Sequence, residues 1–600
     1  MIQGQAEDVG KPGDSLFMGN PISLEEGDFT AFIMPRAWEY YESNIRITKE
    51  LSTVVMGRYR FSDWPYGTLE ERRQEALTNA AQRDGGLFTE VAKMALGWWQ
   101  NVEAKILVKA VEEVDQRQAG SELTLLALLG IIIRYGRSAE FPHWIKDRVK
   151  GAARNFRYWR DVPGSDLLDF SAEGGQILFH AVEILAGQLY PNQVFTLSGL
   201  TGFKQRKEGE KRAVAWMQAH GREGFADWDS DVVYAQSLVA CSFLVDLASA
   251  EEVWDLASVL MDKIFFTLAL NSHKGVFGST KGWARSREIK SGLLDATSGI
   301  TRVMWGMGVY NDQISGAVSL AQMEKYSLPP ILAEIAAGLG DEIWNREQSS
   351  GAGRTVNKAT YRTPDGMLSS AQDYHPGKPG SREHLWQATL GPSSIVFVNH
   401  PGASSEKEER VPNYWRGNGT NPRVAQYKDF LVALYNLPEQ SRLRFTHAYF
   451  PVKEFDETAF HEGWAFARKG DGYIALMASP GLEEIKEGKN AHRELRAHGL
   501  QTIWLCQMGR QAQDGDFTSF QEKILGLKID ISGVQVDCQI LRGNRISFGW
   551  TGPFVCDGQE MPLSGYKHFD NPYTQVDLPC KQMEIKTEDY LLRLDFGSLE

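Results

Sequence analysis

Three of the chain's twelve histidines fall in one stretch, Ala371 to Gly402, where the character of the sequence changes. His375 lies in a Pro/Gly-rich loop, His384 follows Glu383 ahead of an alternating apolar run, and His400 closes the next apolar run. An imidazole at a strand end beside a domain junction can carry out acid–base chemistry from a rigid support. The alternative is that these are ordinary loop and edge-strand histidines.

A second group lies upstream, in FSAEGGQILFHAVEILAGQLY. The pair Gly174-Gly175 opens a predicted helix that carries His180 and Glu183 at positions i and i+3, on one face. Glu173 adds a carboxylate directly before the glycines. The glycine pair either allows a close backbone approach or only starts the helix. His180 is therefore a candidate catalytic residue or a hydrogen-bonded core histidine.

Acidic and aromatic residues are concentrated in GFADWDSDVVY, from Gly224 to Tyr234. Asp229 and its neighbours suit a helix N-cap, which needs a side-chain oxygen. Trp228 is typical of a platform on which a sugar ring stacks, and Tyr234 is a candidate phenolic acid or base.

A Gly/Pro-rich loop in the second half, VPNYWRGNGTNPRVAQYKD, combines aromatic, guanidinium and amide side chains. Such groups bind a carboxylated sugar by stacking and by paired hydrogen bonds. The candidate substrate-binding residues here are Tyr414, Trp415, Arg416, Asn418 and Arg423. The alternative is a long solvated loop between strands.

The spacing of apolar residues predicts the elements that position these groups. From Thr68 to Trp344 they recur at i, i+3, i+4 and i+7, and after Gly351 they alternate with period two in short runs. Helices first and strands second predict an α+β chain, an incomplete (α/α) toroid or a helical solenoid followed by an antiparallel β-sandwich. We expect an N-terminal extension over 1–60, a helical domain over 61–345 and a β-sheet domain over 346–600.

Composition limits the class of partner. The formal net charge of −13 disfavours nucleic acid and anionic membranes, which require a basic surface. The longest apolar run, Leu123 to Ile133, is shorter than the roughly 20 residues that span a bilayer. The N-terminus lacks the apolar core of a signal peptide, which favours a cytoplasmic location. Five cysteines without CxxC spacing disfavour a disulfide framework.

Several of these stretches together resemble the heparinase II/III-like polysaccharide lyases and their relatives. They are SAEGGQILFHAVEILAGQLYP, the Trp-Asp-Ser/Tyr element at 228 to 234, SREHLWQATLGPSSIVFVNHPG, YWRGNGTNPRVAQYKD and FTHAYFP. The resemblance covers roughly residues 90 to 530. It implies an (α/α) toroid joined to antiparallel sheets, with Tyr234 and His384 as the acid and base.

The chain departs from this family at one point. Where relatives carry Glu-Asn-His, it has Glu173-Gly174-Gly175, so the side chain that neutralises the substrate carboxylate is missing there. Either Asn418, Arg416 or His180 substitutes for it, or the activity has changed.

The implied reaction is β-elimination on a uronate-containing polysaccharide or oligosaccharide. It removes the C5 proton, which requires that the charge of the carboxylate be neutralised first. A glycoside hydrolase is the rival, since it needs paired carboxylates, and Glu173, Asp229, Asp231 and Glu383 are available. A non-catalytic carbohydrate-binding protein is the third hypothesis.

Metal binding in the β part is a further hypothesis. His400 and His447 lie, with His384, on or beside consecutive predicted strands, and some heparinase-like relatives hold zinc in this part. Trp386 breaks the compact His-x-His pattern. The sequence thus predicts no required cofactor and leaves a structural zinc, and a homo-oligomer, open.

Overall fold

The computed structural model describes residues 60–164, 166–338, 342–407 and 409–597. The expected N-terminal extension over 1–60 lies outside the described residues, apart from Arg60. Helices fill the first part of the described chain and antiparallel strands fill the second. The predicted α+β order of helices followed by sheets is therefore confirmed.

The helices are α1 (Leu69–Ala81), α2 (Leu87–Ala95), α3 (Ala104–Asp115), α4 (Ser121–Tyr135), α5 (Ile145–Asn155), α6 (Glu173–Leu189), α7 (Gly202–Glu223), α8 (Asp231–Leu247), α9 (Glu251–Leu270), α10 (Ser298–Trp305), α11 (Ile314–Ala321), α12 (Pro330–Ala337), α13 (Gln511–Asp514) and α14 (Phe517–Leu525). Side-chain oxygens start several of them. Thr68 forms a capping box with Glu71 at the start of α1, and the Ser230 hydroxyl accepts from the Val233 amide at the start of α8.

Successive helices pack as hairpins, α3 with α4, α6 with α7 and α8 with α9. Helices α4, α6, α8 and α11 are neighbours in one layer, while α7, α9 and α12 are neighbours in a second layer. Short connections favour such antiparallel pairs, and the apolar faces meet between the layers. Closure of the hairpins into part of an (α/α) toroid stays a prediction.

The strands are β1 (Ser272–His273), β2 (Val276–Phe277), β3 (Ile343–Gly351), β4 (Arg354–Thr363), β5 (Gly366–Ala371), β6 (Trp386–Thr389), β7 (Ile395–Asn399), β8 (Arg423–Tyr427), β9 (Phe430–Asn436), β10 (Phe445–Tyr449), β11 (Glu457–His461), β12 (Trp464–Lys469), β13 (Gly472–Ser479), β14 (Glu483–Glu484), β15 (Glu494–His498), β16 (Gln501–Arg510), β17 (Ile529–Ser532), β18 (Gln535–Gln539), β19 (Arg545–Gly549), β20 (Phe554–Cys556), β21 (Gln559–Met561), β22 (Phe569–Asn571), β23 (Thr574–Val576), β24 (Gln582–Lys586) and β25 (Leu591–Asp595).

Three sheets are stacked in the second part. A ten-stranded sheet runs β14-β15-β10-β7-β6-β5-β4-β3-β22-β23, a six-stranded sheet runs β11-β12-β13-β16-β9-β8, and a five-stranded sheet runs β17-β18-β19-β20-β21. In β9, Leu431, Ala433 and Tyr435 belong to the core shared with the ten-stranded sheet, while Val432 and Leu434 belong to the core shared with the five-stranded sheet. The period-two pattern therefore describes a middle sheet buried on both faces.

Buried polar contacts join the helical part to the ten-stranded sheet. Lys358 of β4 lies between Asp229, at the start of α8, and Glu347 of β3, with its ammonium 2.8 Å from the Glu347 carboxylate. The Arg362 guanidinium donates to the carbonyls of Ala269, Ser272 and Ile335. These contacts fix the sheet against the ends of three helical segments.

The end of the described chain returns to the helices. Phe596, which follows β25, is fully buried and lies where a Cβ on Gly221 of α7 would come within 2.2 Å of its ring. The Cys580 amide donates to the Arg222 carbonyl at 2.8 Å. The division into domains at residue 345 stays a prediction, since these last residues pack on the helical core.

Two further expectations concern membranes and cysteines. Within the described ranges, the helices include none with the length and apolarity that crossing a bilayer requires. The five cysteines are all buried free thiols.

The position of Lys358 generates a stability prediction. Lys358→Met should lower the free energy of unfolding by about 3 kcal/mol, because it leaves two buried carboxylates without their shared cation. Thermal unfolding followed by calorimetry measures the change. Lys486→Met removes a lysine whose side chain is 71% exposed and should leave the midpoint unchanged. An unchanged midpoint in Lys358→Met would contradict the structural role of this ion pair.

Candidate active site at the junction of helices and sheets

The candidate site is built on residues 278–297, here called the junction segment, between β2 and α10. Lys281 exchanges two backbone hydrogen bonds with His384, at 3.0 and 2.8 Å, and the Ala284 amide donates to the Arg382 carbonyl at 3.1 Å. The Gly282 amide donates to the Trp228 carbonyl at 2.7 Å. The junction segment thereby joins the loop before α8 to the residues that lead into β6.

Tyr234 is held inside this junction. Its hydroxyl donates to Asp229 Oδ1 at 2.9 Å, and its ring packs against Phe225 and Phe277. Asp229 Oδ2 in turn accepts from Ser279 and Lys358. Burial and the adjacent Asp229 carboxylate raise the pKa of Tyr234 well above its ordinary value. The phenol therefore stays protonated at neutral pH.

His384 is a neutral imidazole at the same junction. Burial lowers the pKa of His384 to about 3. Its Nε2 lies 2.9 Å from Gln387 Oε1, and the amide nitrogen of Gln387 donates to Thr389 Oγ1. Because the amide oxygen faces the ring, Nε2 carries the proton and Nδ1 carries the lone pair. The geometry thus leaves His384 with one unprotonated nitrogen, although burial makes that nitrogen a weak base.

Lys281 is the buried cation of the junction segment. Its ammonium lies 2.8 Å from Asp231 and 2.9 Å from Asp295. Burial alone would raise the pKa of Asp231, but Lys281 and the Ala296 amide lower it below its ordinary range. Asp231 is therefore an ionised structural partner that also sets the local electrostatic field.

An aromatic ring flanked by guanidinium groups faces outward from the junction segment. Arg285 and Arg382 lie 5.5 and 5.1 Å from the centroid of the Trp283 ring. Trp283 and Arg382 are partly exposed, and the side chains of Arg285 and Arg287 are 40% and 34% exposed. We call these four residues the Trp283 patch. Arg382 belongs to the β part, so the patch spans the junction.

Glu288 lies beneath the patch. Arg285 Nη1 and Arg287 Nε are 3.7 and 3.4 Å from Glu288 Oε1, beyond good hydrogen-bonding geometry. Within the described chain neither carboxylate oxygen has a hydrogen-bond partner, although the residue is only 4% exposed. Burial and the nearby Asp231 raise the pKa of Glu288 to about 7. This carboxyl group can titrate near neutral pH.

Glu173 has an anchoring role. Its carboxylate accepts from the amides of Ala226 and Asp227, both at 2.8 Å, and lies 3.1 Å from His220 Nε2. Burial would raise the pKa of Glu173, but His220 and the two amides bring it below its ordinary value. The carboxylate therefore holds the loop that leads to Trp228.

The first glycine after Glu173 has a packing explanation. A Cβ on Gly174 would lie 2.5 Å from Gln236 Oε1 and 3.0 Å from Val233 Cα, because α6 approaches α8 closely there. A Cβ on Gly175 would meet only Ala172 and Asp169, at 3.5 and 3.7 Å, which is ordinary contact. Helix packing therefore explains the departure from the Glu-Asn-His pattern at Gly174 and not at Gly175.

Glu383 belongs to a second charged cluster near the patch. Its Oε2 accepts from the Ser381 amide at 2.6 Å. Arg354 Nη2 donates to Asp227 Oδ1 at 2.9 Å, and burial together with Glu173 and Glu383 raises the pKa of Asp227. Asp227 was not singled out from the sequence.

The two remaining aromatic or imidazole candidates on this side differ in exposure. Trp228 is 1% exposed, and its indole donates to Thr280 Oγ1 at 3.2 Å. A sugar ring has no access to Trp228 in this arrangement, so the residue packs rather than presents a platform. His375 is exposed, has a φ of 46° and contacts the ring of Tyr374.

The five candidates of the β loop have packing roles in the structure. They are Tyr414, Trp415, Arg416, Asn418 and Arg423, with exposed fractions of 7, 1, 2, 2 and 9%. Trp415 stacks on His447 with ring centroids 4.1 Å apart, and Tyr414 donates to Glu494 at 2.6 Å. Asn418 Oδ1 accepts from the His400 amide. The loop folds onto the ten-stranded sheet instead of lining an open groove, and a binding role for it stays a prediction.

The described residues include no ligand set for the zinc ion considered from the sequence. No group of three or more His, Cys, Asp and Glu side chains that could hold a metal ion occurs in the part of the chain that the structure describes. His447 directs its ring nitrogens at Glu494 Oε1 and the Tyr414 carbonyl, at 3.0 and 2.9 Å. His400 Nε2 lies 2.9 Å from the Leu443 carbonyl. These oxygens accept hydrogen bonds, so they occupy the ring nitrogens that a metal would use.

His180 is separated from the junction. It is 3% exposed and lies beside Trp159, with ring centroids 4.7 Å apart, and burial lowers the pKa of His180 to about 3. It follows Glu173 by seven positions on α6, roughly 10 Å along the helix axis. Trp159, which His180 contacts, lines a different cleft, described below.

Tyr234, Asp229, Glu383 and His384, which the sequence singled out, lie at or beside the junction segment in the structure, and their roles stay predictions; the sequence analysis did not single out the Trp283 patch or Glu288. The signal was present as KGWARSRE at residues 281–288, which alternates aromatic or basic residues with small ones. In the structure Trp283, Arg285 and Arg287 are the partly exposed positions of that alternation.

Comparison with known proteins adds little. No protein-family model and no curated protein matches the chain. A solved structure that matches is a chondroitinase AC lyase, described with its oligosaccharide complexes and mutagenesis. It is 9% identical, with 89% of this chain and 99% of that chain covered, at a TM-score of 0.35. This score carries no argument about function, and the resemblance to heparinase II/III-like lyases stays a hypothesis.

The buried neutral state of His384 predicts a pH dependence. Between its ordinary pKa near 6.5 and its folded pKa of about 3, the unfolded chain binds the proton more tightly, so stability falls as pH falls. Between pH 6.5 and 5 this amounts to about 2 kcal/mol. His384→Gln should therefore lose less unfolding free energy than the wild type on going from pH 7.5 to pH 5, measured by denaturant titration.

His461→Gln, at an exposed histidine, is the control and should differ from the wild type less than His384→Gln does. Equal losses in the wild type and in His384→Gln would contradict a neutral buried His384.

Proposed function

We propose that the chain binds an acidic polysaccharide or oligosaccharide at the junction and cleaves it at a uronate by β-elimination. The observation that carries this proposal is the Trp283 patch, a partly exposed indole with guanidinium groups from both parts of the chain beside it. A sugar ring stacks on an indole, and a guanidinium binds a carboxylate with two parallel hydrogen bonds.

The arginines of the patch would neutralise the uronate. β-Elimination needs a cation or hydrogen-bond donor at the carboxylate before the C5 proton becomes acidic enough to remove. Since Gly174 leaves no room for a side chain, this task falls to Arg285, Arg287 or Arg382. Arg416 and Asn418, the substitutes considered from sequence, are buried in the β part and less suited to it.

His384 is the proposed base. It is neutral at physiological pH, and its Nδ1 has a lone pair; to take the C5 proton, its pKa must rise from about 3, which the negative charge of a bound uronate favours. Tyr234 is the proposed acid, since its high pKa keeps the phenolic proton available for the departing glycosidic oxygen. Tyr234 and His384 are only 4% and 5% exposed, and the phenolic proton is donated to Asp229, so proton transfer requires the junction segment to open to the substrate and the hydroxyl to turn away from Asp229.

A second candidate function is glycoside hydrolysis, and Glu288 favours it. A general acid for hydrolysis is a carboxyl group whose pKa is raised, next to an ionised carboxylate. Glu288, with its pKa of about 7 and no hydrogen-bond partner among the described residues, suits the acid better than Glu173 or Asp229, which are held by several donors. Asp231 is the ionised carboxylate near it, although Lys281 and the Ala296 amide also hold Asp231. A non-catalytic carbohydrate-binding role would use the Trp283 patch alone.

Incubation with a panel of uronate and neutral glycans separates these functions. We expect new reducing ends together with the ultraviolet absorbance of an unsaturated uronate, and only with uronate-containing glycans. New reducing ends without that absorbance, abolished by Glu288→Gln, would establish hydrolysis instead. Binding without new ends would leave the carbohydrate-binding role.

Substitutions test the residue roles separately. Trp283→Ala and Arg382→Ala should each lower kcat/KM for the uronate glycan about tenfold, through loss of stacking or of a charged hydrogen bond. His384→Gln should remove turnover while leaving glycan binding within about twofold of the wild type. Trp144→Ala is the matched control, because Trp144 is an exposed indole with Arg148 5.6 Å from its ring on another surface. Equal activity of Trp283→Ala and Trp144→Ala would contradict the proposed site.

A further inference from the structure

A separate cleft lies in the helical part, between the loop after α5, the loop before α7 and α7 itself. Its volume is about 360 Å³, within the range of about 300–1,000 Å³ that is usual for small-molecule sites. Glu183 of α6 contacts Arg212, which lines the cleft. Glu183 follows Glu173 by ten residues and so lies about 15 Å along the helix from the junction. We call it the helical cleft.

One wall of the helical cleft is apolar. Trp159, Val162, Pro163, Leu197 and Leu200 contribute to it. Leu197 is 40% exposed and Trp159 is partly exposed, so part of this apolar surface faces water. The exposed side chain of Arg160 lies 4.7 Å from the Trp159 ring centroid and covers one side of it in the absence of a ligand.

The opposite side is a network of polar groups. Arg212 Nη1 donates to both oxygens of Glu183, at 2.9 and 3.0 Å, and Arg212 Nη2 donates to Asp161 at 2.6 Å. Ser198 donates to the side-chain oxygen of Gln205 at 2.6 Å. The Asp161 side chain is 55% exposed, so its carboxylate can still accept hydrogen bonds from a ligand.

The charge of the helical cleft distinguishes it from the Trp283 patch. Three carboxylates, those of Asp161, Glu183 and Glu208, surround one guanidinium, that of Arg212. Arg160 adds a second guanidinium beside Trp159, and the raised pKa of Glu183 leaves that carboxyl group partly protonated, so the charges of the cleft nearly balance, whereas the patch at the junction is basic. A ligand with many hydroxyl groups and no charge can donate to the carboxylates and accept from the guanidinium.

Two residues that the sequence placed on one face of α6 lie behind the residues that line the cleft: Glu183 contacts Arg212, and His180 contacts Trp159. Glu183 is fully buried, and burial raises its pKa to about 7 against the opposing effect of Arg212. His180 has a buried Nδ1 that no described residue hydrogen-bonds. The junction chemistry uses neither residue.

We propose that the helical cleft binds a neutral saccharide, with a pyranose ring against Trp159 and its hydroxyl groups on Asp161 and Arg212. Stacking satisfies the C–H face of the sugar, and adjacent hydroxyl groups pair with a carboxylate and a guanidinium. The site is independent of the reaction proposed at the junction. It gives the chain a second site of attachment to a glycan, one that binds an uncharged sugar.

Isothermal titration of the full chain with neutral trisaccharides of glucose, mannose and galactose tests this proposal. We expect at least one to bind with a Kd of about 1 mM or lower. Trp159→Ala should weaken that binding about tenfold through loss of the stacked ring. Asp161→Asn, at a half-exposed carboxylate, should weaken it as well without disturbing the core.

Two controls keep the result specific. Arg160→Ala uncovers the Trp159 ring without removing it and should bind at least as tightly as the wild type. Trp283→Ala, which alters the junction, should leave neutral-saccharide binding unchanged. The proposal would be overturned if none of the three trisaccharides bound. It would also be overturned if Trp159→Ala and Asp161→Asn bound as tightly as the wild type, or if Trp283→Ala lost binding.

Discussion

The rest of the structure depends on the ion pairs of two buried lysines, Lys358 of the sheet and Lys281 of the junction segment. Each lies between two carboxylates, and their side chains are 4% and 3% exposed. Burying such charges is costly unless every charge has a partner, so each lysine fixes the elements that carry its carboxylates. The start of α8, the junction segment and β4 are held in one arrangement for this reason.

The same arrangement decides which side chains reach solvent. Tyr234, His384 and Asp231 are buried beside the ion pairs, while Trp283, Arg285 and Arg382 are partly exposed. In the proposed function the exposed groups recognise charge and ring shape, and the buried groups have shifted pKa values. A basic, aromatic surface above titratable buried groups is the physical basis of the function proposed for the junction.

Sequence patterns predicted the two halves of the fold because helical and alternating periodicities are local properties. Among the candidate site residues, Tyr234 and Asp229 are in direct contact in the structure. Burial could not be predicted from the sequence in the same way. Trp228 and the loop from Tyr414 to Arg423 have the composition of ligand-binding loops, yet they are buried. What buries them comes from distant chain positions, as in the contact of Asp229 with Lys358, 129 residues away, and no local pattern records such a partner. The alternation in residues 281–288 was a local signal for the Trp283 patch. It is short and lies in the part of the sequence where helical periodicity dominates, so the sequence analysis did not use it.

The most direct measurement of the central claim is a crystal structure of the chain soaked with an unsulfated uronate trisaccharide. The account predicts one pyranose ring against Trp283, with its carboxylate within about 3 Å of a guanidinium of Arg285, Arg287 or Arg382. A trisaccharide bound elsewhere, with the Trp283 patch left in contact with solvent, would contradict the assignment of the junction as the acidic-glycan site.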